Sequence, residues 1–201
     1  MTKHLAEDVR REQILDAART AFVSKGYAAA RMEDIADTAS LSKGGVYFHF
    51  RSKRDILEAL VRREFTHVMG TMERLTRDDR PLAERIRRVA RYFVDYFKSR
   101  PESAAFALLV SEMAIRDESL RALLHEMNAL YHERLTRLVQ TGVDVGAFRS
   151  DIDTASIATA LKAMMDGVEA LIAVGIEVDL DQLMSSGFDM IFRGIRAQGM
   201  D

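Results

Sequence analysis

Residues 32–55 read MEDIADTASLSKGGVYFHFRSKRD, and this stretch decides the fold of the N-terminal part of the chain. Apolar residues recur at helical spacing over residues 32–39 and again over residues 43–48. Ser42 is placed to cap the second of these segments, because a serine side chain can accept an unpaired first-turn N–H. With a longer helix before them, over about residues 9–25, these segments predict a three-helix helix-turn-helix module.

The charge of the chain is unevenly distributed. The net charge is -2, yet residues 1–54 carry +3 and residues 55–201 carry -5. Residues 42–54 contain four basic side chains and no acidic one. A basic patch on an acidic body can bind phosphate while the body is repelled from it, although a solvated charged face is the alternative interpretation.

The third predicted helix carries side chains suited to nucleic-acid contact. Lys43 can reach a phosphate or a guanine edge in the major groove, and Tyr47 and His49 combine aromatic bodies with polar tips. Gly44 and Gly45 allow close approach of the backbone, although tolerance of glycine in a short packed helix is the alternative. Val46, Phe48 and Phe50 are expected to pack inward. The predicted DNA-binding residues are Arg31, Ser42, Lys43, Gly44, Gly45, Tyr47, His49 and Lys53.

The same stretch resembles the TetR family of bacterial transcriptional regulators. The resemblance covers about the first quarter of the chain. Three positions depart from the family pattern: Arg31 stands where a Thr or Ser usually caps the second helix, Ser40 replaces a turn glycine, and Gly45 replaces a Thr, Ser or Ala. The matching residues are Asp34-Ile35-Ala36, Ser42-Lys43-Gly44, Tyr47, His49-Phe50 and Ser52-Lys53, preceded by the first-helix pattern from Ile14 to Phe22 and by Gly26-Tyr27.

Apolar residues recur at helical spacing almost throughout the chain, which predicts an all-α protein of about nine helices, and the resemblance agrees. A helix-turn-helix DNA-binding domain is expected over residues 1–54, and a helical ligand-binding and dimerisation domain over residues 55–201. The implied partners are double-stranded DNA, a second copy of the chain and a small-molecule effector. A homodimer would place its recognition helices in successive major grooves of a palindromic operator, about 34–36 Å apart. Repression relieved by an apolar or amphipathic effector is the leading hypothesis, and activation is left open.

The ligand pocket is predicted from aromatic and methionine side chains on the middle helices. Such residues more often form a core than a pocket, so a packed core is the alternative interpretation. The polar candidates facing a ligand are Glu112, His125, Asn128 and Asp166. The apolar pocket candidates are Phe93, Tyr96, Phe97, Phe106, Met113, Met127, Tyr131 and Met165.

The dimer interface is predicted on the last two helices, where the family usually forms a four-helix contact between subunits. These helices are strongly apolar, which suits packing both inward and across an interface. Burial wholly within one subunit is the alternative. The predicted interface residues are Ala158, Leu161, Met165, Phe188, Ile191, Phe192 and Ile195.

Other functional classes find little support in the sequence. The chain has no cysteine, which excludes disulfides and thiolate chemistry. The polar N-terminal segment and the lack of a long apolar run predict a cytoplasmic protein without membrane association. His125 and His132, each followed by a glutamate, suggest a metal enzyme only weakly, because their spacing is two helical turns. We expect no enzymatic activity, no cofactor and no metal, and keep a protein–protein interaction module as a further rival.

Overall fold

The structure, a computed structural model, describes residues 2–77 and 80–197, with side chains from residue 7 onward. The all-α prediction is confirmed, since the only β pairing in these ranges is a single bridge between Phe148 and Arg196. The described residues form nine helices: α1 Thr2–Lys25, α2 Met32–Thr38, α3 Lys43–His49, α4 Lys53–Thr76, α5 Leu82–Ser99, α6 Pro101–Ala114, α7 Glu118–Asp144, α8 Thr154–Ala173 and α9 Leu180–Ile195.

Local capping sets the boundaries of α2 and α3. The Ser42 hydroxyl accepts the Gly45 N–H at 3.0 Å, as the sequence predicts. Arg31 offers no side-chain cap to α2, but the Asp34 carboxylate accepts the Arg31 backbone N–H at 2.8 Å. Ser40 has a φ of 53°, the left-handed conformation that a turn glycine would adopt without strain. One N-terminal donor of α2 is therefore satisfied from inside the helix, without a Thr or Ser cap.

The N-terminal module and the body share one hydrophobic core. Buried side chains of α1–α4 pack in the same cluster as Phe106 of α6 and Met127 of α7. In addition, α4 runs without interruption through residue 54, where the sequence places the domain boundary. That boundary stays a prediction. The shared core means that the position of α1–α3 depends on how α6 and α7 pack.

The second core holds α5, α8 and α9 against the middle of α7. α7 continues through Gly142 to Asp144, and the ring of Phe148 lies against that glycine. A Cβ added at Gly142 would lie 2.1 Å from the Phe148 ring. Phe148 also stacks on Phe192 of α9, with ring centroids 5.7 Å apart. The glycine thus lets the α7–α8 loop dock on the C-terminal helix.

Candidate DNA-binding surface and ligand cavity

One face of α3 is exposed, and it carries several of the predicted DNA-binding residues. Lys43, Gly44, Tyr47 and Phe48 are all exposed and lie within a single arc of the helix. The opposite face is anchored by Val46, which is fully buried. A short helix that is packed on one side and exposed to solvent on the other is suited to enter the major groove.

Phe48 corrects the sequence analysis, which expects it to point inward. It is 78% exposed, whereas Val46 and Phe50 are buried as expected. Positions 46, 48 and 50 alternate as they would in a strand, but α3 is helical, so residue 48 points away from residue 46. Applying the helical period at these positions would have identified Phe48. It adds an apolar group to the exposed face, of a kind that can contact a thymine methyl.

Lys43 is held in place by an acidic neighbour. Its ammonium forms an ion pair with Glu33 of α2, and both side chains are about half exposed. Lys43 also lies over the Tyr47 ring, 5.8 Å from its centroid. The hydrogen bond from Lys43 lowers the pKa of Glu33, which therefore stays ionised. A DNA phosphate would have to replace this carboxylate as the partner of Lys43.

Two of the four basic residues in the patch are occupied within the fold. The Lys53 ammonium donates to the backbone carbonyls of Tyr27, Ala28 and Ala30, so its three protons all have partners. Arg54 pairs with Asp117, the residue that caps α7, and this pairing lowers the pKa of Asp117 to about 2. This bonding favours a structural role for Lys53 over the predicted phosphate contact.

The remaining predicted DNA-binding residues lie around the same face. Arg31 and Ser42 are exposed, while Gly45 and His49 are half-buried at its edges. A Cβ at Gly45 would lie 3.3 Å from the Ser42 hydroxyl, so the cap leaves little space there. A Cβ at Gly44 would meet nothing closer than 4.0 Å. Packing within the chain therefore gives no reason for glycine at position 44.

A cavity of about 610 Å³ lies among α4, α5, α6, α7 and α8. This volume falls within the range of about 300–1,000 Å³ typical of small-molecule pockets. Its wall is mainly apolar, with a few charged groups from α4 and α8. The aromatic side chains that line it are Phe65, Phe93, Tyr96, Phe97, Phe106 and Tyr131.

Most of the predicted pocket residues meet at this cavity. Seven of the eight apolar candidates line it, and the exception is Met113. Met113 lies two turns beyond Phe106 along α6, where it packs on the N-terminal core instead. Of the polar candidates, Glu112 does not line the cavity. His125, Asn128 and Asp166 do, together with three charged residues that the sequence analysis misses, namely Glu64, Lys162 and Glu169.

Glu64 connects the cavity wall to the N-terminal module. It accepts a hydrogen bond from the Tyr96 hydroxyl at 3.1 Å. The same carboxylate pairs with Arg19 of α1 at 2.9 Å and with Arg63 at 3.1 Å. Burial, helped by the nearby Glu64 charge, raises the pKa of Tyr96. A polar chain therefore runs from the cavity to a buried arginine of α1.

Glu169 is the unusual charged group in the cavity wall. Burial raises its pKa to about 7, with a further contribution from Asp166 and partial compensation by Lys162. Lys162 itself forms an ion pair with Asp166 and lies 5.4 Å from the centre of the Tyr131 ring. Glu169 thus faces the cavity as a carboxylate without an ion-pair partner of its own among the described residues.

Four predicted interface residues lie inside the subunit. Ala158, Leu161, Met165 and Ile195 are buried in the second core, so they are not available to a partner chain. They occupy the inward face of α8 and α9, which the sequence pattern alone could not tell from an outward one. Phe188, Ile191 and Phe192 are half-buried against the same core.

The outward faces of α8 and α9 carry other residues. On α8 they include Ala160, Ala163 and Gly167, and on α9 Leu183 and Met190, the latter 72% exposed. A Cβ at Gly167 would meet nothing within 4 Å. These faces combine small and apolar side chains that nothing in the subunit covers.

The described residues do not support the hypothesis of a metal enzyme. No group of three or more potential metal ligands occurs there. His132 instead contacts the carbonyl oxygen of Ala155 and the hydroxyl of Thr159. Within the same residues, no helix is both long and apolar enough to cross a membrane.

Comparison with known proteins identifies the family. Residues 14–60 match the profile described as bacterial regulatory proteins of the tetR family. Residues 81–185, just over half of the chain, match the C-terminal profile of BetI-type transcriptional repressors. The chain belongs to the TetR family. It is therefore a helix-turn-helix transcriptional regulator, and α3 lies within the matched N-terminal profile.

Individual relatives agree with this assignment. The transcriptional repressor KstR2 of Rhodococcus jostii is 30% identical over 146 residues, which cover 72% of this TetR-family chain and 70% of KstR2. A transcriptional regulator from Saccharomonospora viridis, solved with choline, has a TM-score of 0.76 and 23% identity over 94% of this chain and 98% of its own. FadR of Bacillus subtilis, solved with stearoyl-CoA, has a TM-score of 0.74 and 21% identity over 92% and 99% of the two chains. The two structures share the fold of this regulator.

Proposed function

We propose that this TetR-family regulator is a dimeric repressor that binds a palindromic operator. A small molecule bound in the cavity causes it to dissociate from the DNA. The proposal rests on two features found in the same chain, which are the exposed face of α3 and a mainly apolar cavity. KstR2 is named a repressor, and FadR and the S. viridis protein were solved with ligands, which supports both parts. The proposal includes no catalysed reaction.

The DNA contact is proposed to use the exposed face of α3. Lys43 and Tyr47 would contact phosphates or base edges, and Gly44 would let the helix backbone approach the groove. Phe48 joins this set, and Arg31, Ser42, Gly45 and His49 flank it. Lys53 is left out, because its ammonium already holds the loop after α1.

The dimer is proposed to form through the outward faces of α8 and α9. Small residues at 160, 163 and 167 would allow two copies of α8 to approach closely, while Leu183 and Met190 would be covered by the partner. The Ala163→Arg variant should elute as a monomer in size-exclusion chromatography with light scattering. Ala83→Arg, on the exposed side of α5, is the matched control and should stay dimeric. A dimeric Ala163→Arg protein would contradict this interface.

Release is proposed to act through Tyr96, Glu64 and Arg19. A ligand that displaces Tyr96 or Glu64 would disturb the ion pair with α1 and shift the recognition helices relative to each other. Only a difference in ligand affinity between the two arrangements can shift the equilibrium. A coupling of about 1–3 kcal/mol is sufficient for a switch of about 5- to 150-fold.

The test is fluorescence anisotropy with DNA fragments from the region flanking the gene, at two salt concentrations. We expect tight binding to one palindromic fragment, weakened at the higher salt as phosphate contacts require. The double variant Lys43→Ala, Tyr47→Ala should lose at least about a hundredfold in affinity. Arg74→Ala, an exposed arginine at the far end of α4, is the matched control and should bind as the parent does.

Ligand sensing is tested separately with a thermal-shift screen of a broad compound collection. At least one compound should stabilise the protein, and it should weaken the DNA complex. Failure of every compound would contradict the sensing part of the proposal. Failure to bind any fragment at low salt would contradict the DNA part and leave an interaction module.

A further inference from the structure

We infer that the effector of this regulator is an amphipathic cation whose positively charged group binds at Glu169, while its apolar part lies among the aromatic rings of the cavity. This inference rests on the proposed function of the cavity. The fold alone does not set the ligand class, because structural neighbours were solved with ligands as different as choline and stearoyl-CoA. The class has to be read from the residues of this chain.

The charges on the cavity wall favour a cation. Glu64, Asp166 and Glu169 supply three carboxylates, and Lys162 supplies one ammonium. Glu64 is balanced by Arg19 and Arg63, and Asp166 is balanced by Lys162. Glu169 makes no hydrogen bond or ion pair with any described residue. A ligand cation would therefore complete the charge balance of the cavity, whereas a ligand anion would add to the excess of negative charge.

The aromatic rings provide the second half of the site. Tyr131, Asp166 and Glu169 line the same cavity, and burial raises the pKa of Tyr131, with a further contribution from the two carboxylates. The protein's own Lys162 already lies over the face of this ring. Aromatic faces attract ammonium groups most strongly where water is excluded. The cavity thus combines a half-buried carboxylate with a ring that already holds one cation.

Ionisation of Glu169 should control binding of the cation. The charged or titratable groups that line the cavity together with Glu169 are Lys162 and Asp166 on its own helix, Glu64 on α4, Tyr96 on α5, and His125 and Tyr131 on α7. The residues of α6 that line the cavity are not titratable. A pKa of about 7 leaves Glu169 mostly protonated at pH 6 and mostly ionised at pH 8. If only the ionised form binds, affinity should rise about tenfold over this range.

The experiment compares three probes that share an eight-carbon chain: octyltrimethylammonium, octanol and octanoate. Binding to the full-length protein is measured by isothermal titration calorimetry at pH 8. We expect the cation to bind at least about tenfold more tightly than the other two probes. It should also release operator DNA, as measured by anisotropy.

Two variants and one control identify the group responsible. Glu169→Gln should weaken cation binding about tenfold, abolish its pH dependence and retain octanol binding, which shows that the cavity is still formed. Glu177→Gln, an exposed glutamate after α8, is the matched control and should bind all three probes as the parent does. His125→Asn should keep the rise in affinity between pH 6 and pH 8.

Several results would overturn the inference. Preference for octanoate or octanol, with release of DNA, would leave ligand sensing intact and refute the cation. Unchanged cation binding in Glu169→Gln would show that the charge lies elsewhere, and a flat pH profile in His125→Asn would assign the titration to the imidazole. Absence of binding by all three probes would also refute it, while the compound screen decides separately whether the regulator senses a ligand.

Discussion

The exposed face of α3 and the cavity among α4, α5, α6, α7 and α8 are built from very different lengths of the chain. The α3 face needs one seven-residue helix, started by the Ser42 cap and anchored by Val46. The cavity needs five helices, and Glu64 and Glu169, both in its wall, are far apart in the sequence. A local motif therefore reveals the first, whereas long-range packing creates the second. Substitutions in one region should change its own property and spare the other.

The largest effect is expected from Gly142→Ala, which tests the packing of the body. The new methyl group would overlap the Phe148 ring and push the α7–α8 loop from α9. We expect the free energy of unfolding to fall by about 2–4 kcal/mol, measured by urea denaturation. Gly70→Ala, in the interior of α4 with space around it, is the control and should not destabilise. Equal stability of the two variants would contradict this account of the loop.

Glu169→Gln tests whether the cavity is built at the expense of stability. The raised pKa means that the unfolded chain releases this proton more readily than the folded one. The folded state therefore loses stability as pH rises above about 4.5, the ordinary pKa of glutamate, and the loss is complete above about 7. The variant should therefore exceed the parent in stability by about 1–3 kcal/mol at pH 8 and match it near pH 4. Thermal denaturation at both pH values measures this, and a pH-independent difference would refute it.

Gly44→Ala tests whether a substitution in α3 can weaken DNA binding without lowering the stability of the fold. The added methyl group meets nothing in the chain, and alanine favours the helix, so stability should stay the same or rise by up to about 1 kcal/mol. Operator affinity should nevertheless fall about tenfold, because the methyl group would hold the backbone away from the groove. Anisotropy and urea denaturation on the same sample separate the two effects. A variant that binds normally would mean that glycine is merely tolerated here.

The smallest effect is expected from Glu33→Gln. This change frees Lys43 from its ion pair and removes a negative charge beside the DNA surface. Operator affinity should rise about threefold at low salt, and the gain should shrink as salt screens the charges. Glu177→Gln serves again as the distant control. A loss of affinity would show that Glu33 orients Lys43 for binding instead of competing for it.

Prediction from the sequence succeeds best where a property depends on neighbours in the chain. The Ser42 cap and the nine helices of residues 2–77 and 80–197 follow from local spacing and are confirmed. Phe48 points outward, contrary to expectation, because residues two apart lie on opposite sides of a helix and on the same face only of a strand. Met113 and four interface candidates pack within the subunit in places that the sequence does not predict, since helical spacing gives the apolar faces of a helix without saying which neighbour each face meets.

The sequence by itself determined the fold class, the helix-turn-helix and the family, because capping, helical periodicity and motif spacing are all local properties. Only the tertiary structure decided which charges are free to act. It showed Lys53 and Arg54 bound within the fold and Glu169 left without a partner in an aromatic cavity. The physical reason is that the state of a charge depends on burial and on partners brought close by folding, and neither is visible along the chain.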